Sequence, residues 1–177
     1  MTSFLGGFSI RNVRSMVLIS LFAALITICA WIAVPIPPVS FTLQTLGVLL
    51  ALGILGGKRG LCSVGLYLLL GLVGLPVFSG FRGGASALLG PTGGFLWGFA
   101  AMAMCYWLLE RFGRLPAMVM GHLVCYVCGC WWFTVYAPGT GLFAAALTCV
   151  VPYLLGDGIK IGLAYTISRR ISGRMNL

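Results

Sequence analysis

Acidic residues are almost missing from this sequence: 177 residues include one Glu, Glu110, and one Asp, Asp157, beside a single histidine, His122. A general acid and base pair has little to be built from, because Glu110 closes an apolar run beside Arg111 and Asp157 stands three residues from Lys160. Charge of either sign is scarce. It makes up 7% of residues, against about 25% in an ordinary soluble domain, while 60% are hydrophobic and the mean hydropathy is +1.10. A soluble fold is excluded. There is no Gly-x-x-x-x-Gly-Lys-[Ser/Thr] phosphate loop, so any ATP used in this protein's work belongs to a partner. The seven cysteines are odd in number and scattered, and they describe no disulfide framework.

What is present is apolar length. At about 20 residues per crossing the chain can pass a bilayer six to eight times with short loops. Six runs qualify as predicted spans: 17–34, 41–57, 61–75, 93–109, 115–136 and 142–168. The first ends at Pro35, Pro37 and Pro38 and lacks a small-residue cleavage site, which favours a retained span over a signal peptide. The second and third are short, so flanking residues such as Phe41 and Lys58 are expected in the interface. With the N-terminus in the cytoplasm, Arg11, Arg14, Lys58, Arg59, Arg111, Arg114, Arg169, Arg170 and Arg174 all fall on the inner side. Arg82 falls outside and Lys160 within the membrane. The positive-inside rule therefore explains the formal charge of +9, and a nucleic-acid partner is not needed. The expectation is an all-α membrane protein, a single domain of six spans with both termini cytoplasmic. Trp31, Trp107, Trp131 and Trp132 lie near span ends, where indole rings anchor at headgroup level.

Asp157 and Lys160 are the strongest functional signal. An ionised group inside a membrane costs a few kcal/mol even on lenient scales (about 2.5–3.5), so it must face the bundle interior and find a partner. At positions i and i+3 the two share a helix face. They either brace the scaffold or mark a site. Counting from Arg169 at about 1.5 Å per residue places Lys160 roughly 13 Å and Asp157 roughly 18 Å from the inner surface. Pro152 is expected to be a kink or the first turn of the deep part of the last span.

The outer segment 76–92 is glycine-rich and long enough to be a lid rather than a passive turn. Phe78, Phe81, Leu88 and Leu89 would fold over a cavity, and Arg82 would be the external cation for an anionic ligand. Thr92 precedes the fourth span, whose N-terminus would point outward and favour an anion. Gln44 and Tyr67 are further polar groups in apolar runs; each serves either a neighbouring helix or a ligand. His122, Cys125 and Cys128 share a helical stripe, with Cys130 close by, but a straight helix spreads ligands that a zinc site needs to converge, so no metal site is expected. Cys29, Cys62, Cys105 and Cys149 read as small packing residues. Ser20, Ala23, Thr27 and Ala30 form a small-residue stripe on the first span, suited to close packing either with a partner or within the bundle.

Four ordered blocks carry a resemblance: Pro35-Ile-Pro-Pro-Val-Ser-Phe-Thr-Leu-Gln-Thr-Leu, Leu66-Tyr-Leu-Leu-Leu-Gly-Leu-Val-Gly-Leu-Pro-Val-Phe, Leu89-Gly-Pro-Thr-Gly-Gly-Phe-Leu-Trp-Gly-Phe and Gly156-Asp-Gly-Ile-Lys. Together they resemble BioY, the biotin-specific S component of energy-coupling-factor (ECF) vitamin transporters, over nearly the whole chain. The resemblance implies a six-helix protein of the bacterial cytoplasmic membrane that captures biotin from outside. It also implies association with a transmembrane T component and two cytoplasmic ATPases that topple it within the bilayer. Asp157 and Lys160 would then contact biotin, helped by Gln44 and Arg82 and more weakly by Tyr67. Biotin is cargo, and no resident cofactor or metal is implied. A carboxylate suits the ureido N–H groups, and Lys160 or Arg82 suits the ureido carbonyl or the valerate carboxylate. Two departures stand out: the first-span stripe is not a clean Ala-x-x-x-Ala docking pattern, and the cysteine-rich fifth span is unfamiliar and adds nothing to the resemblance. An S component for thiamine or riboflavin, and an intramembrane enzyme, remain open alternatives.

Overall fold

The computed structural model describes residues 10–35 and 40–172. Pro37, Pro38, Arg174 and the side chain of Arg11 lie outside the described residues. The structure is mostly helical: α1 (Ile10–Trp31), α2 (Gln44–Leu55), α3 (Gly57–Leu72), α4 (Ala85–Leu89), α5 (Gly93–Leu109), α6 (Arg114–Tyr136), α7 (Leu142–Cys149) and α8 (Leu154–Ser172). A two-residue antiparallel ladder pairs β1 (Ala33–Val34) with β2 (Phe41–Thr42), Ala33 opposite Thr42. It turns the chain from α1 into α2.

α2 is apolar on every side because it is surrounded on every side. Val48, Leu49, Ala51 and Leu52 are fully buried, and the helix packs against α1, α3, α5, α6 and α8. Its 12 residues rise about 18 Å, less than a bilayer core, so the predicted 41–57 run is not one continuous helix. Two breaks shorten it: the β2 pairing before Gln44, and Gly56, whose φ of +81° ends α2 and starts α3 in a single residue. Lys58 and Arg59 thus sit in the first turn of α3 rather than in a loop. Glu110 caps that turn, its Oε2 accepting the Gly57 N–H at 2.7 Å.

Among the described residues, three helical segments are long and apolar enough to cross a membrane: Val13–Trp31, Arg114–Tyr136 and Leu142–Ser172. The last is not straight. Pro152 has no N–H to donate, α7 stops at Cys149, a 3-10 turn covers Val151–Tyr153, and α8 then carries the chain to Ser172.

The small residues of α1 serve this chain's own bundle. Ala23, Thr27 and Ala30 are buried, and Gly47 of α2 lets the α1 backbone approach so closely that a Cβ there would stand 3.1 Å from the Ile26 Cα. Ser20 alone of the stripe is exposed, bonded to the Met16 carbonyl of its own helix. The α5–α6 pair is set by the same device in both directions. Gly94 and Gly98 of α5 receive Trp132 and Cys125, while Gly121 and Gly129 of α6 receive Met102 and Phe95.

Candidate functional site

α8 brings Asp157 and Lys160 to one face, as their spacing requires, and both are buried, 5% and 4% exposed. Lys160 Nζ donates to Asp157 Oδ1 at 2.8 Å and to the Thr42 carbonyl at 2.7 Å. Its ammonium also stands 3.8 Å from the centre of the Phe41 ring, which stacks on Tyr153. Asp157 is held from two further helices. Thr45 of α2 donates to Oδ1 at 3.4 Å, and Tyr126 of α6 donates to Oδ2 at 2.6 Å, where His122 Nε2 also lies 3.3 Å away. Each buried charge is thereby paired and hydrogen-bonded, the condition for ionised groups in a low-dielectric interior.

These groups line a cavity of about 90 Å³. Gln44, Thr45, Ser40, Phe41 and Thr42 supply one side, and Phe95, Leu96, Phe99, His122, Cys125 and Tyr126 supply another. The segment 76–92 covers part of it through Phe78, Ser79, Arg82 and Ala87, with Thr92 at the α5 terminus. The segment is not a structureless loop. A 3-10 turn at Ser79–Phe81 and the short α4 give it form, and the Phe78 N–H bonds to the Arg82 carbonyl at 2.9 Å. Of its four large apolar residues, Phe78 and Leu88 point inward, both 2% exposed, whereas Phe81 and Leu89 are exposed.

The tryptophans expected as headgroup anchors have a second use. Trp31 donates its indole N–H to the Pro76 carbonyl and Trp132 to that of Gly90, both at 2.9 Å, so α1 and α6 hold the two ends of the covering segment. Trp31 further packs on Phe81 at 5.0 Å between ring centres. Phe41, expected only as a flanking interface residue, has its ring as a wall of the cavity under Lys160.

Of the five residues singled out from sequence, Asp157, Lys160, Gln44 and Arg82 line this cavity, and Tyr67 does not. Tyr67 stands behind Gln44, fully buried. Its hydroxyl accepts the Gln44 Nε2–H at 2.7 Å and donates to the Val77 carbonyl at 3.3 Å, while Phe78 packs edge-on against its ring. Tyr67 therefore orients the Gln44 amide. Tyr67→Phe should lower the unfolding stability by about 1–3 kcal/mol, because two buried polar groups lose their partner. Thermal unfolding in detergent measures this, and an unchanged midpoint would remove the assigned role.

Sequence reasoning missed Tyr126, Thr45, Thr42 and Phe41, and it weighed His122 only as a metal ligand. One signal was available. His122 and Tyr126 are four residues apart on one helix face, a polar pair in an apolar run. The Thr42 contact left none, since a backbone carbonyl has no sequence signature.

With the geometry in place, comparison with known proteins gives a consistent answer. The BioY family profile matches residues 2–176. The biotin transporter BioY of Thermotoga maritima is 39% identical over 163 residues, spanning 89% of this chain and 95% of that protein. The probable biotin transporter BioY of Pyrococcus horikoshii is 38% identical over 156 residues, spanning 88% and 94%. Among solved structures, the crystal structure of the S-component for biotin from an ECF-type ABC transporter superposes with a TM-score of 0.83 at 30% identity, covering 91% of this chain and 92% of that one. A profile match over nearly the full length, relatives aligned almost end to end and a shared backbone place this membrane protein in the BioY family.

Proposed function

We propose that this chain binds biotin and takes it up across the bacterial cytoplasmic membrane as the S component of an ECF transporter. The observation that carries the reading is one cavity in whose wall the two ionised side chains of the apolar interior, Asp157 and Lys160, stand together with Gln44 and Arg82. The chemistry suits a small acid with a polar head. Asp157 accepts ureido N–H groups, Lys160 and Arg82 supply cations for the ureido carbonyl and the valerate carboxylate, and Phe41, Phe78, Phe95 and Phe99 give apolar walls. Transport, not catalysis, is the outcome, and the guest leaves unaltered.

A single membrane domain of six spans with cytoplasmic termini is part of the proposal. Its support is the grouping of ends. The junction of α2 and α3, the α5–α6 turn and the end of α8 meet around one cavity lined by Arg59, Arg111 and Arg114. The C-terminal end of α1 is tied to Pro76 beside the candidate site. Basic residues thus gather at one end, which the positive-inside rule assigns to the cytoplasm. The segment 76–92 then acts as an outer lid with Arg82 on its underside. A T component and two ATPases act at the inner side and supply the energy that this chain has no loop to harvest.

The test is displacement of labelled biotin from the purified protein. Excess biotin should release it, and equal excesses of thiamine or riboflavin should not. Release by either other vitamin, or recovery of a chemically altered ligand, overturns the reading.

A further inference from the structure

Three buried side-chain atoms among the described residues have no hydrogen-bond partner, and two of them are the ring nitrogens of His122. His122 is 3% exposed and lines the cavity. Nε2 lies 3.3 Å from Asp157 Oδ2, within reach of its charge but without a hydrogen bond. Native interiors rarely leave such atoms unmet, because each costs about 1–3 kcal/mol. Neighbouring groups are already engaged: Tyr126 gives its hydroxyl to Asp157, Lys160 serves Asp157 and Thr42, and Cys125 Sγ faces the Phe95 carbonyl at 3.8 Å. Phe95, Leu96 and Phe99 on the facing helix are apolar.

The charge beside the ring decides its tautomer. A lone pair on Nε2 would face an anionic oxygen, so the single proton of the neutral imidazole belongs on Nε2, which leaves Nδ1 as a bare acceptor. We propose that His122 is a guest-binding residue whose Nδ1 accepts an N–H from the guest. This rests on the biotin reading above, in which the available N–H donors are the two N–H groups of the ureido ring. A carboxylate or a thioether offers no proton there. His122 thus selects the nitrogen-bearing head of the guest, and Asp157, reached by the same ring, keeps the ring in the accepting tautomer.

Calorimetric titration of the purified protein in detergent tests this, using biotin and two analogues methylated on one or the other ureido nitrogen, with wild type, His122→Phe and His122→Gln. Biotin affinity should fall at least about tenfold in His122→Phe, the scale of one buried hydrogen bond. It should fall less in His122→Gln, whose amide oxygen still accepts. One methylated analogue should be penalised strongly by wild type and several-fold less by His122→Phe, the signature of an interaction both changes remove. A merely structural role weakens all guests alike; unchanged ratios, or wild-type affinity in His122→Phe, overturn the proposal. Should His122→Phe fail to fold, His122→Leu, which also lacks an acceptor, takes its place in the same comparison. A wild-type protein that binds biotin while the ratios stay fixed defeats only the His122 assignment, whereas one that binds no biotin defeats both readings.

Discussion

Asp157→Asn should abolish tight biotin binding, a loss of at least about 100-fold by titration, while the protein still inserts and folds. The carboxylate ties α2, α6 and α8 together: Thr45, Tyr126 and Lys160 all donate to it. Hydrogen bonds to charged groups are worth about 1.5–3 kcal/mol each, so losing the anion removes both a direct acceptor for the guest and the partner that aims Lys160. Breaking one half of a buried pair also costs stability, about 3–5 kcal/mol where desolvation is complete. A double substitution separates the two effects. Asp157→Asn with Lys160→Met removes both charges at similar volume and should recover the unfolding midpoint without recovering biotin binding. Lys160→Ala should likewise bind no biotin tightly. Wild-type affinity in Asp157→Asn or in Lys160→Ala would defeat the site assignment.

The largest structural effect is expected at Gly94. A Cβ there would run into the Cβ of Trp132 and lie 2.9 Å from the Cys128 carbonyl, and one turn further Gly98 leaves only 3.1–3.2 Å to the backbone of Cys125. Backbone atoms cannot rotate away, so α5 and α6 must separate. Gly94→Val should therefore cost about 3 kcal/mol or more, at the upper end of overpacking penalties, lowering the thermal midpoint by about 6–12 °C. The same movement carries His122 and Tyr126 away from Asp157 and loosens the Trp132 bond that holds Gly90, so biotin should also stabilise the variant less. Gly162→Val on α8 is the matched control, since nothing lies within 4 Å of a Cβ there. A midpoint for Gly94→Val indistinguishable from that of Gly162→Val would show that the helix pair yields more easily than its contacts imply.

Much of this was legible in the chain itself. The fourth and fifth apolar runs, 93–109 and 115–136, coincide with the helices α5 and α6 to within a residue, because each run ends at charge or a turn. The second apolar run, 41–57, reads as one continuous segment, whereas the structure divides it between β2, α2 and the first residue of α3; apolar content does not show where such a run breaks. Asp157 and Lys160 were visible because a charge in an apolar run is costly whatever surrounds it. Tyr67 looked equivalent to Gln44 in sequence, yet one lines the cavity and the other stands behind it.

The amino-acid sequence on its own determined that the chain lives in a membrane, that one acid and one base share a helix face within it, and that it resembles BioY. These follow from composition, spacing and ordered blocks, which are local properties. Only the tertiary structure decided which groups meet that pair. The Thr42 carbonyl, the Phe41 ring, Tyr126 and His122 come from positions 31 to 119 residues away. Their convergence depends on how each helix is rotated about its own axis. That rotation is set by glycine-to-side-chain contacts between α5 and α6 and between α1 and α2, pairings no single stretch of sequence contains.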